Sequence, residues 1–95
     1  MNHKVRLGLI GVGQWGMNYV KTIENTENVL LKSIACKNFE GKSELQKKYR
    51  LTNNWHDIIN SSDIDGIIIS TPPNLHFEIA CEAIKNGKPI IVEKP

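Results

Sequence analysis

The chain is short of cysteine, of net charge and of long apolar runs, and each shortage narrows what it can be. Its two cysteines, Cys36 and Cys81, stand far apart, with no CxxC pair and no histidine at metal spacing. Neither a disulfide framework nor a zinc site is supported, and a reducing, cytoplasmic setting fits. The formal charge is only +2. The lysines are scattered instead of forming the basic stripe that a phosphate backbone needs, so nucleic acid is not an expected partner. No stretch approaches the ~20 consecutive apolar residues that span a bilayer, so no membrane partner is expected. The start, MNHKVRLGLIGVG, has glycines at turn spacing and no small-residue cleavage site, and reads as a strand instead of a signal peptide. Repeats, low-complexity tracts and linkers are also missing, which predicts one domain over residues 1–95.

What is present suits a small globular unit. Apolar residues make up 40% and charged residues 23% of the 95, enough to build a core and to solvate its outside. A chain of this size buries roughly 60 to 65% of its unfolded surface, so its stability alone is expected to be modest.

Strand and helix patterns alternate along the sequence. KVRLGLI (4–10) is a β-rich run ended by glycines, and Gly16, Val20 and Ile23 then recur at helical spacing until the polar stretch 25–28. VLLKSIAC (29–36) reads as a second strand. The lysine-rich 40–50 stretch reads as a helix anchored by Leu45 and Tyr49. Residues 51–55 suggest a short strand and 56–61 a short helix with Ile58 and Ile59 inward. DGIIIST (65–71) is apolar enough for a strand covered on both faces. Phe77, Ala80, Cys81 and Ile84 suggest the buried stripe of a further helix, capped by Asn74 and ended by Gly87, before a fifth strand at 89–95. The alternation predicts an α/β doubly wound parallel sheet, a Rossmann fold with right-handed crossovers and strand order 3-2-1-4-5.

Between the first strand and first helix lies GVGQWG, with Gly11, Gly13 and Gly16 in a GxGxxG set around Gln14 and Trp15. In this strand-to-helix context the set is a dinucleotide fingerprint. The first glycine makes the turn, the second lets backbone approach a pyrophosphate, and the third lets the helix pack close. The helix N-terminus then presents unpaired N–H groups and a positive dipole end to the phosphates. Trp15 most simply covers the helix–sheet junction while its backbone lines the loop. At the end of the second strand such folds usually carry an Asp or Glu for the ribose hydroxyls. Here stand Cys36, Lys37 and Asn38. No carboxylate repels a 2′-phosphate and the Lys37 ammonium can attract one, so NADP is expected beside NAD. The alternative is that Lys37 only points into solvent.

Residues 70–95, STPPNLHFEIACEAIKNGKPIIVEKP, pair a TPxxxH turn with a late GK and EKP. Together with GVGQWG some eighty residues earlier, these motifs resemble the Gfo/Idh/MocA family of oxidoreductases, named for glucose-fructose oxidoreductase and inositol dehydrogenase. The resemblance covers nearly the whole chain. It implies that Ser70, Thr71, Pro72, Asn74 and His76 line the cofactor, with His76 toward the nicotinamide ribose. It also implies that Glu93 and Lys94 reach the reacting end and that Lys94 is the catalytic residue. Strand ends beside the reversal in strand order are where open α/β sheets hold ligands, and a lysine in a partly dry cleft suits proton transfer. Taken alone, Pro72 and Pro73 more simply break a strand and open a helix, and His76 equally well sits in a first turn without a role.

The resemblance further implies hydride transfer between a nicotinamide and a secondary alcohol of a small sugar-like substrate. The GQWGMN stretch is similar to a GxWGxN variant in members that act on nucleotide-linked sugars. In this family a second α/β domain follows EKP, carrying substrate contacts and the sheet through which subunits associate. The 95 residues are therefore expected to be part of a longer or truncated protein, inactive alone, whose complete form is a homo-oligomer. A non-catalytic dinucleotide sensor is the alternative, though it has no use for EKP. A methyltransferase-like fold is a third, though it needs an acid near Cys36.

Overall fold

The computed structural model describes residues 4–11, 16–37, 39–71 and 73–92. Among them nine elements alternate: β1 (Val5–Ile10), α1 (Gly16–Glu24), β2 (Val29–Ala35), α2 (Ser43–Lys48), β3 (Arg50–Thr52), α3 (His56–Ile59), β4 (Gly66–Ile69), α4 (Pro73–Lys85) and β5 (Ile90–Val92). The strands form one sheet in the order β3-β2-β1-β4-β5, and every neighbouring pair is parallel. This is the expected doubly wound order.

Successive strand residues point to opposite faces, and the apolar runs of β1, β2 and β4 therefore feed two cores at once. On one face Leu9, Ile34 and Ile68 meet Val20 and Ile23 of α1 and Leu45 of α2. On the other, Ile10, Ala35, Ile67 and Ile69 meet Ile58 and Ile59 of α3 and Ile79 and Ala83 of α4. All four residues of β4 are buried, as a strand covered on both faces requires.

Helix α4 departs from the sequence reading. Ile79 and Ala83 are fully buried, with Leu75, Ala80 and Ile90 packed on the same cluster. Phe77 and Ile84 are 81% and 65% exposed. Of the expected stripe Phe77, Ala80, Cys81 and Ile84, Ala80 does pack on this cluster, but the sequence also carries 75/79/83 at helical spacing, and the bulk of Phe77 favours the wrong set. Nor does Asn74 cap the helix, because α4 already begins at Pro73 and Asn74 is an exposed first-turn residue. The other end is as expected. Gly87 takes φ 72°, its N–H donates to Ile84 O at 2.9 Å, and the Lys88 N–H donates to Ala83 O at 3.0 Å. This pair of hydrogen bonds is a Schellman stop, which needs a left-handed residue such as glycine. β3 begins one residue earlier than expected and ends at Thr52.

Polar contacts tie the strand starts together. Arg6 of β1 donates from its backbone N–H, Nε and Nη2 to the Asp65 carboxylate just before β4. These bonds hold the Asp65 carboxyl down at about 2. Lys88 Nζ donates to Ser61 O and Ile64 O, both at 2.7 Å. The Tyr49 hydroxyl donates to the Glu24 carboxylate and so fastens the last residue of α1 to the end of α2. No described helix is long and apolar enough to cross a membrane.

Candidate functional site

The order of strands reverses between β1 and β4, and in open α/β sheets the crevice beside that reversal, at the carboxyl ends of the strands, receives ligands. Backbone bonds draw three strand ends together there. The Gly11 N–H donates to Ala35 O at 2.8 Å, and the Ser70 N–H donates to Ile10 O at 2.8 Å.

Two turns interlock at this point. Gly11 has φ 94°, a left-handed conformation that side chains rarely adopt. A Cβ on Gly11 would also lie 2.7 Å from Ser70 O and 2.9 Å from Thr71 Cγ2. Glycine is thus required both by its own backbone and by the turn after β4. Gly16 opens α1, so the helix end with free N–H groups belongs to the glycine turn. Gly13, Gln14 and Trp15 lie outside the described residues, as do Pro72, Glu93 and Lys94.

Across the crevice, Ser70 is buried. The Thr71 hydroxyl is sealed from solvent and, among the described residues, is a buried side-chain polar atom without a hydrogen-bond partner. Such an atom costs roughly 1 to 3 kcal/mol while unsatisfied, which is a reason to expect a ligand group beside it. His76, in the first turn of α4, places Nε2 2.5 Å from Thr71 O. Asn74 is exposed on that same turn. The structure thus gathers Gly11, Ser70, Thr71 and His76 around one junction.

At the end of β2 the Cys36 N–H donates to Thr52 O at 2.9 Å. Burial pushes the Cys36 thiol above its usual range, and the Lys42 ammonium works against that rise. Lys37 is exposed, while Lys42 is half-buried where the loop after β2 turns into α2. Lys42 is the positive group that sequence reading missed. Its signal was its place, five residues past Lys37 and just before a helix. A cleft of about 490 Å³ between α1 and α2 has Lys42, Met17, Val20 and Leu45 among its walls. Both cysteines are free.

Residues 5–95 match the family model described as the Gfo/Idh/MocA oxidoreductase family, NAD-binding Rossmann fold. An inositol 2-dehydrogenase of Salmonella typhimurium is 26% identical over 96% of this chain, which spans 29% of that protein. A glycosyl hydrolase family 109 protein of Shewanella baltica is 35% identical over 96% of the chain, which spans 22% of it. The solved structure of biliverdin reductase from Synechocystis, in complex with biliverdin and NADP+, superposes with a TM-score of 0.87 at 26% identity. It covers 96% of this chain and 29% of its own. The chain thus spans less than a third of each of these proteins. With the reversal-point crevice, the glycine-only turn and a family match over nearly its full length, the chain belongs to the Gfo/Idh/MocA oxidoreductases and is an NAD(P)-binding Rossmann domain of that family.

Proposed function

We propose that this domain holds its dinucleotide across the β1–β4 crevice, accepts NADP(H) as well as NAD(H), and serves a reaction at a secondary alcohol of a sugar-like substrate. The observation that carries the binding part is the interlock of Gly11 with Ser70 and Thr71, beside a buried hydroxyl that lacks a partner among the described residues. In this reading Gly11, Gly13, Gln14, Trp15 and Gly16 carry the pyrophosphate on the opening of α1, where aligned N–H groups favour an anion. Ser70, Thr71, Pro72 and Asn74 border the nicotinamide ribose, with His76 behind the Thr71 turn. Cys36, Lys37 and Lys42 face the adenosine ribose, where positive charge and the lack of a carboxylate suit a 2′-phosphate. Glu93 and Lys94 follow β5, whose Val92 pairs with Ile69 of β4, and Lys94 moves the proton of the substrate hydroxyl. When bound, the nicotinamide supplies hydride chemistry; orientation and electrostatics come from the protein.

The alcohol substrate is inferred from the inositol 2-dehydrogenase relative. A homo-oligomeric complete enzyme, a cytoplasmic setting and inactivity of these 95 residues alone belong to the same reading. Titration of the chain with NADPH and NADH tests it. Binding of both is expected, with NADPH at least as tight. A tenfold preference for NADH, about 1.4 kcal/mol, overturns the NADP part. Cys36→Asp, which restores the usual carboxylate, is expected to weaken NADPH tenfold or more and to spare NADH. An equal loss of both ligands would also count against that part.

A further inference from the structure

The contact between His76 and Thr71 says more about the histidine than its place beside the crevice. A carbonyl oxygen only accepts hydrogen bonds. The short approach of Nε2 to Thr71 O therefore requires the proton on Nε2. The ring is committed to the backbone of the turn through that nitrogen.

Helix α4 begins at Pro73, so the Thr71 carbonyl lies ahead of the helix, and the His76 imidazole of the first turn reaches back to it. Thr71 is also the residue that a Cβ on Gly11 would meet, and its hydroxyl is sealed and, among the described residues, without a partner. Holding the Thr71 carbonyl restrains the backbone at the Thr71 Cα, from which the hydroxyl-bearing side chain projects.

We infer that His76 is a positioning residue for the dinucleotide: its Nε2–H latches the Thr71 carbonyl and thereby presets the Thr71 hydroxyl to hydrogen-bond the ligand, without the ring touching the ligand. The inference rests on the cofactor reading above and specifies how one side of that site is held. Holding a binding group in place before the ligand arrives reduces the ordering cost of binding.

The test follows NADPH binding to the 95-residue chain by titration in wild type, H76A, H76Q, T71V and the H76A/T71V double variant. H76A is expected to weaken binding about tenfold. H76Q, whose amide N–H can serve the same carbonyl, is expected to recover most of that loss. T71V should weaken binding comparably, and the double variant should bind no worse than T71V alone, since both changes remove one coupled device. Losses that add in the double variant, or an H76Q as weak as H76A, overturn the latch. A second measurement needs no ligand and no alanine variant. Long-range proton–nitrogen spectra of the wild type at mildly alkaline pH are expected to show the His76 proton on Nε2. A ring protonated on Nδ1 overturns the latch even if NADPH binds well. Failure of NADPH to bind the wild type, with the Nε2 form present, refutes the role in ligand positioning and the cofactor reading while leaving the contact itself intact.

Discussion

The γ2 methyl group of Ile58 in α3 occupies the space that a Cβ on Gly8 of β1 would need. Ile58 is itself buried, so it has little room to withdraw. Gly8 also marks the point where the pairing of β1 with β2 shifts register, between Leu7 and Gly8. The short helix α3 thus presses on bare backbone at the centre of the sheet. Gly8→Ala is expected to destabilise the chain by about 1 to 3 kcal/mol, the usual range for overpacking. For a domain of this length that lowers Tm by at least about 4 °C. Calorimetry checks it, and an unchanged or raised Tm contradicts the packing.

The two stripes of α4 give a paired prediction. Ile79→Ala removes a fully buried side chain and should cost about 2 to 5 kcal/mol. Phe77→Ala removes a ring that is 81% exposed and should change stability by less than about 0.5 kcal/mol. Urea denaturation of both variants separates the arrangements, because a reversed order of costs would mean that α4 is rotated about its axis.

The same helix shows where sequence reading reaches and where it stops. The strand order and the alternation were legible because glycine turns and apolar runs punctuate the chain, and DGIIIST can hardly be anything but a central strand. Ile58 and Ile59 were also legible as inward-facing. The phase of α4 was not, since two apolar stripes share one helical period and only the docking of the turn after β4 selects between them. The same limit applies at the site. Gly11, Thr71 and His76 stood out as motif letters, but no spacing rule tells that Thr71 is sealed or that the histidine reaches back to its carbonyl. Lys42 went unseen because its relation to Cys36 depends on how the loop after β2 folds back.

The bond from Tyr49 to Glu24 predicts alkaline sensitivity. Burial, and then the hydrogen bond to the Glu24 carboxylate and its charge, push the Tyr49 phenol up to about 12 from an ordinary value of 10. The folded chain therefore keeps this proton at pH values where the unfolded chain has lost it. The stabilisation is full below pH 10 and disappears as the pH rises from 10 to about 12. Urea midpoints of wild type and Tyr49→Phe are expected to differ at neutral pH, with wild type the more stable, and to converge across that window. A gap that stays constant to pH 12 would remove the role assigned to this bond.

The position of β1 bears on how the domain assembles. The earliest strand in the chain ends up in the middle of the sheet, and its partner on one side arrives only with β4. The Arg6–Asp65 bond closes a span of 59 residues. Closing a loop of that length carries an entropic cost before its contacts form, and parallel pairings between distant segments fold slowly. Until β4 docks, Leu9 and Ile10 have one strand neighbour in place of two, and the crevice has one wall. The proposed dinucleotide groove thus has both its walls only once β4 has docked on β1, and a ligand that bridges them is expected to hold the two halves of the sheet together.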